Sequence, residues 1–304
     1  MEKIHKAVIP AAGLGTRLYP ASKAVKKEFF PIVDAQGISK PAIQVIIEEA
    51  VDSGIEQVCL IVQKEDVSLF RGYFGTPLTG TLKERLAKRP EAVAQTEKLQ
   101  DLNRRIDYVV QEEQEGFGHA VYCAKNWVGE APFLLMLGDH IYRSHTPMTC
   151  ARQILEVYNQ WEKSVYAIVR TPGHKVERYG TVAGDPVPEW PRTYRLSEIR
   201  EKPSLDYAQV HLRVKGLGQD EFFCIFGQYA LTPALFDYLA FHIDRDLRQK
   251  GEIQLTGALE MVRQEEGAYG YETAGERYDI GTPLEYARTV AAFSALDLDA
   301  SRQP

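Results

Sequence analysis

The 304-residue sequence predicts an α/β fold in three layers, a mixed and mainly parallel sheet between two sets of helices. Three observations predict it. Apolar runs of strand length recur at Ala7-Val8-Ile9, Gln57–Val62, Ile106–Val110 and 131–137. The segments between them space apolar residues as helices do. Their alternation calls for crossovers, because a parallel strand is reached only by a long connection packed on the sheet face.

Each element has its own warrant. After the first strand, PAIQVIIEEAVDSG places Ile43, Ile46, Ile47, Ala50 and Val51 on one helical face, with Pro41 suited to the first turn. Gly54 then stops that helix, and QVCLIV follows as a strand apolar on both faces. Residues 67–104 read as long helical stretches, an insertion relative to a minimal crossover. Their basic part, Lys83 to Arg105, also carries Glu84, Glu91, Glu97 and Asp101, which marks a solvated helix rather than a polyanion site. IDYVV is a strand, HAVYCAKNW a helix and APFLLML a buried strand.

After Pro147 a helix precedes the strand SVYAIVR. From Tyr179 to Leu231 the pattern changes: TVAGDPVPEW, TYRLSEIREKP and FFCIFGQYAL read as strands separated by Pro and Gly turns, a smaller antiparallel or mixed sub-sheet. Helices return at LTGALEMVRQEEG and PLEYARTVAAFSAL, and the polar tail LDLDASRQP is expected to fray. The whole is expected to be one Rossmann-like domain.

Composition excludes several classes. With 44% hydrophobic and 26% charged residues the chain reads as soluble and globular. A net charge of −6 argues against a nucleic-acid partner, since phosphate backbones attract basic surfaces. Cysteines 59, 123, 150 and 224 match no zinc spacing and suggest no disulfide. The amino terminus, charged within six residues, is unlike an export signal, and no apolar run approaches the ~20 residues that span a bilayer. A cytoplasmic protein without a membrane partner is expected.

The chemistry is concentrated in AAGLGTRLYPASKAVKKEFFP, Ala11 to Pro31. Gly13 and Gly15 let backbone N–H groups approach a polyphosphate, and Arg17, Lys23, Lys26 and Lys27 supply cations. It is neither of the two common glycine loops. The dinucleotide fingerprint needs a third glycine where Leu18 stands, and no Gly-Lys-Ser/Thr follows for a P-loop. Ligands of open parallel sheets bind beyond the carboxyl ends of the strands. The glycine turn, QEEQEGFGHAV from Gln111 and LGDH from Leu137 all fall at such ends, so one pocket is expected.

This opening segment resembles the signature of the sugar nucleotidyltransferases, and most closely the bacterial UTP–glucose-1-phosphate uridylyltransferase branch. RYGTV from Arg178, EKP from Glu201, GEIQLTGAL from Gly251 and YDIGTPLEY from Tyr278 extend the resemblance over nearly the whole chain. It implies attack of a sugar 1-phosphate on the α-phosphorus of UTP, with magnesium as cofactor. By the resemblance, residues 1–146 would bind the nucleotide, 147–282 the sugar phosphate, and 283–304 would form a C-terminal helix and tail.

The resemblance also implies the site residues. Arg17 would grip the β- and γ-phosphates and Lys27 would sit near the α-phosphate. Asp139 and Asp279 would hold magnesium, which needs only one or two carboxylates beside phosphate oxygens. Ala11, Ala12, Gly13, Gly15, Gln111 and Gly116 would bind the nucleotide, and Gly180, Glu201 and Lys202 the sugar phosphate. A homodimer or homotetramer is implied as well.

Some positions depart from the family pattern. Lys26 stands where the uridylyl branch often has proline, His140 where another acidic or apolar residue is usual, and Gly257 where aspartate is common. Thymidylyl transfer, another sugar 1-phosphate, and a catalytically silent regulatory homologue stay open as alternatives. Retention of Arg17, Lys27, Asp139 and Asp279 opposes the last.

Overall fold

The computed structural model describes residues 3–294; the expected fraying of LDLDASRQP lies outside them. The chain begins with β1 (Lys6–Pro10), a short helix α1 (Ala21–Ala24), and the hairpin β2 (Pro31–Val33) and β3 (Ser39–Pro41). Then come α2 (Ala42–Asp52), β4 (Gln57–Val62), α3 (Val67–Gly75), α4 (Gly80–Leu86), α5 (Pro90–Arg105) and β5 (Ile106–Val110). The expected HAVYCAKNW helix is two short pieces, α6 (Phe117–Tyr122) and α7 (Lys125–Val128). β6 (Phe133–Met136), β7 (His140–Ser144), α8 (Cys150–Trp161) and β8 (Val165–Pro172) complete the first half.

The second half runs β9 (Thr181–Pro186), β10 (Thr193–Arg200), α9 (Leu205–His211) and β11 (Glu221–Leu231). It closes with α10 (Leu235–Asp244), α11 (Leu255–Glu266), β12 (Tyr269–Glu272), β13 (Gly275–Asp279) and α12 (Pro283–Phe293). Pro41 ends β3 and stands at the N-cap of α2, one position before the first turn.

Nine strands form one sheet in the order β5-β4-β1-β6-β11-β8-β12-β10-β9. All but β10 and β11 run in one direction. Of the strands expected between Tyr179 and Leu231, β9 and β10 form the outer end of this same sheet, while β11 lies at its centre between β6 and β8. Alternation along the inner strands feeds two cores. Ala7, Ile9, Val58 and Leu60 face α2, α3 and α8, while Val8, Cys59 and Ile61 face α6, α10 and α11. Burial on both faces is why these strands are apolar throughout.

β11 joins the two ends. It pairs with β6 on one side and with β8 and β9 on the other, and its register shifts between Ile225 and Tyr229. Gly227 lies in that kink with φ +104°, and a Cβ there would come within 2.8 Å of Leu137 Cδ1 and 2.9 Å of Tyr142 Oη. The Gly227 carbonyl accepts from Tyr142 Oη at 2.8 Å and from Leu137 N at 3.2 Å. All four cysteines are free, and no helix among the described residues is long and apolar enough to cross a membrane.

Candidate active site

A cleft of about 630 Å³ opens where the carboxyl ends of β1, β5 and β6 meet the antiparallel end of the sheet. The first loop is pinned before it reaches the cleft. Ala11 N donates to Ile61 O at 2.7 Å, and Gln63 Nε2 donates to Ala12 O at 2.6 Å. Two 3₁₀ turns, Thr16–Leu18 and Lys27–Phe29, flank α1, and Arg17 and Lys27 line the cleft. Lys27 lies against the glycine turn, so a Cβ on Gly13 would be 3.5 Å from its Nζ.

Charge is tightly compensated on this wall. Lys27 Nζ donates to Asp139 Oδ2 at 2.8 Å. Burial works to lower the lysine pKa, but the Asp139 and Glu28 carboxylates outweigh it and hold the value above the ordinary one. Burial likewise works to raise Asp139, yet Lys27 and His140 hold its carboxyl well below the usual range. Both partners are therefore charged at neutral pH.

The short ladder of β7 with β13 sets His140 opposite Asp279. His140 Nδ1 is 2.8 Å from Asp139 Oδ1, and its Nε2 is 4.0 Å from Asp279 Oδ2, so the ring stands between two carboxylates. Asp279 Oδ1 accepts from Gly281 N at 2.6 Å. A Cβ on Gly281 would come within 3.0 Å of Arg17 Nη2 and Asp279 Oδ1, and 3.3 Å of Asp139 Oδ2. Only a residue without a side chain lets these three groups converge.

On the opposite wall hydroxyl, backbone and aromatic groups hold the charged side chains. Ile225 N donates to Gly180 O at 2.8 Å, and Thr256 Oγ1 donates to Glu201 Oε2 at 2.6 Å. Lys202 Nζ lies 3.1 Å from the other oxygen of Glu201. Arg277 Nη1 donates to Ile225 O at 2.8 Å while its guanidinium stacks 4.4 Å from the Tyr179 ring centroid. At the third side Gln111, buried at 4% exposure, reaches Gly116 O at 3.4 Å and His119 Nδ1 at 3.2 Å.

The donor set fits a hard divalent cation. Asp139 is held ionised and Asp279 faces the same space, and both offer carboxylate oxygens. Among the described residues no cluster of three or more His, Cys, Asp or Glu could hold a metal alone. A cation here would draw its remaining ligands from phosphate oxygens and water.

The profile of the nucleotidyl transferases matches residues 6–294. The chain belongs to the nucleotidyl transferase family. It is 36% identical over 298 residues to a UTP–glucose-1-phosphate uridylyltransferase of Bacillus subtilis strain 168, covering 98% of this chain and 93% of that protein. Its structure is similar to apo UDP-glucose pyrophosphorylase, with a TM-score of 0.80, 27% identity and coverage of 96% of this chain and 98% of the other. A UDP-glucose pyrophosphorylase complexed with UDP-glucose aligns with a TM-score of 0.78 at 27% identity, covering 96% of this chain and 99% of that one.

In this nucleotidyl transferase the cleft brings together Ala12, Gly13, Arg17, Lys27, Gln111, Gly116, Asp139, Gly180, Glu201, Lys202 and Asp279. Ala11 and Gly15 shape the loop without lining the cleft. Lys23 is exposed, and Lys26 is paired with Asp66 of the neighbouring turn, so neither lines the cleft. Sequence reasoning missed Glu28, Thr256, Arg277 and Gly281. The alternation in GERYD, with Arg277 two residues from Asp279, was the available signal for Arg277. The tight turn after Asp279 was the signal for Gly281.

Proposed function

We infer that this nucleotidyl transferase moves the uridylyl group of UTP to glucose 1-phosphate, giving UDP-glucose and pyrophosphate. The observation that carries the reading is one cleft with two cations and two carboxylates on one wall and a hydroxyl-binding carboxylate, Glu201, on the other. The names of the full-length relatives supply the nucleotide and sugar.

A phosphate oxygen of glucose 1-phosphate forms a bond to the α-phosphorus. The bond from that phosphorus to the bridging oxygen breaks, and pyrophosphate leaves with the electron pair. Both reactants are anions, so the site works by positioning and by opposing charge. Lys27 meets the charge that builds at the α-phosphate, and Arg17 offers a two-pronged grip on the departing pyrophosphate. Asp139 and Asp279 are the residues that would hold magnesium, which when bound neutralises phosphate oxygens. Gln111, Ala12, Gly13 and Gly116 shape the uracil side. Gly180, Glu201 and Lys202 take the sugar phosphate, with Glu201 accepting from sugar hydroxyls. A cytoplasmic homodimer or homotetramer belongs to the same reading, and light scattering tests the assembly.

The deciding experiment is pyrophosphate release with magnesium, crossing UTP, dTTP, ATP, CTP and GTP with several sugar 1-phosphates. Release with UTP and glucose 1-phosphate is expected. Preference for dTTP or another sugar would move the specificity, and silence across the panel from folded protein would overturn the reading.

A further inference from the structure

The turn that presents Lys27 also buries a carboxylate. Glu28 has 0% exposure, and neither of its oxygens meets a hydrogen-bond donor beyond the amide of its own residue. Burial pushes its pKa up to about 7; Lys27 and Lys26 from its own turn act to lower it, and Asp139 on the same wall to raise it. A buried carboxylate without donors weakens a fold, and a glutamine of the same shape would avoid the charge. The charge must therefore act on something.

The cation it acts on is Lys27. Glu28 Oε1 lies 3.7 Å from Lys27 Nζ, close enough for attraction and too far for a hydrogen bond. Lys27 thus has two anionic neighbours of different character. Asp139, hydrogen-bonded to it, has a side chain 19% exposed to the cleft, whereas that of Glu28 is 1% exposed. A ligand that engages Asp139 takes away the bonded partner of Lys27. Glu28 cannot be taken away.

We propose that Glu28 is a positioning residue for Lys27, a sealed counter-charge that holds the ammonium in the cleft without occupying its N–H donors. The proposal rests on the function inferred above. Lys27 keeps all three donors for phosphate oxygens once Asp139 has turned to another partner. The unpaired carboxylate lowers stability and raises the efficiency of the site, the trade expected where strain is kept for function.

The test uses the full chain carrying Glu28→Gln and, separately, Glu28→Met. Turnover at pH 8 and thermal unfolding at pH 8.5 are compared with wild type. Turnover is expected to fall on the order of ten-fold or more in both variants, with KM for glucose 1-phosphate changed less than about three-fold. The midpoint of Glu28→Gln at pH 8.5 is expected to equal or exceed that of wild type. Turnover within about two-fold of wild type, or a fall in turnover matched by a lower midpoint in both variants, would overturn the proposal.

Should wild-type protein release no pyrophosphate from any substrate pair, the inferred function fails, and calorimetric affinity for pyrophosphate decides for Glu28. A roughly ten-fold weaker affinity at unchanged midpoint supports it; equal affinity overturns it.

Discussion

The two walls of the cleft are held by different forces. On the first-loop wall Lys27, Asp139, His140 and Asp279 form a chain of contacts built on the Lys27–Asp139 ion pair, with Arg17 and Gly281 closing against it. Across the cleft, Glu201 is fixed by the Thr256 hydroxyl, Gly180 by a backbone bond, and Arg277 by a carbonyl and an aromatic face. Fixed charge lies where phosphate charge would shift during reaction, because preorganised charge lowers a barrier most there. Hydroxyl, backbone and aromatic contacts, beside the single Glu201–Lys202 pair, lie where a sugar would be told from its isomers. Damage to the first wall should therefore cost rate, and damage to the second should cost affinity.

The largest effect is expected from breaking the charged chain. Asp139→Asn keeps the shape and removes the anion that Lys27 bonds. Turnover in the pyrophosphate assay should fall roughly 10³-fold with circular dichroism unchanged. A loss confined to KM would erase the contrast between the walls.

A smaller effect is expected opposite. Thr256→Val deletes the donor to Glu201 and leaves the carboxylate short of a partner. KM for glucose 1-phosphate should rise roughly 5- to 50-fold while KM for UTP stays put. An equal change in both would show that the sugar wall also orders the nucleotide.

The smallest effect on chemistry should come from an acid behind both walls. Glu49 of α2 accepts from Ala151 N at 2.9 Å and Gln228 Nε2 at 3.3 Å, and burial pushes its pKa up to about 7. The folded state thus keeps a proton that the unfolded chain releases near its ordinary value of 4.5. Stability from this group is complete below about pH 4.5, falls as pH rises, and reaches its floor above about pH 7. Glu49→Gln should raise the melting midpoint at pH 8 by roughly 3–6 °C, leave it unchanged at pH 4.5, and spare turnover. A loss of turnover would extend the charged wall into α2.

The parts written in local periodicity were legible in the chain. β1, β4 and β6 are apolar runs because both faces are buried, β5 at the sheet edge keeps a shorter one interrupted by Asp107, and α2 shows its stripe. β7 and β13 were not legible: HIYRS and GERYD are five residues each, rich in charged and polar groups, and pair only with each other from distant parts of the chain, so neither carries an apolar run of its own. α9, α10 and the β2–β3 hairpin were missed as well; β2 and β3 are three residues each and carry no period. The first loop could be recognised because its cations and glycines sit side by side. Glu28 could not, since KKEFF looks like a solvated charge run until the fold seals it. Thr256 lies 55 positions from Glu201, and no spacing rule links a hydroxyl to a carboxylate that the sheet brings near.

The kinked strand β11 has a consequence for how such a cleft can be altered. Its residue 225 holds the Gly180 backbone and the Arg277 guanidinium, and its residue 227 receives Leu137 and Tyr142 from the other half. Both walls hang on one beam. Grafting residues 181–201 from a relative with another sugar preference would leave the new segment against an unmatched Ile225. The natural unit of exchange is the longer stretch 165–231, in which the strand travels with the segment it supports, and chimaeras cut inside it should assemble poorly.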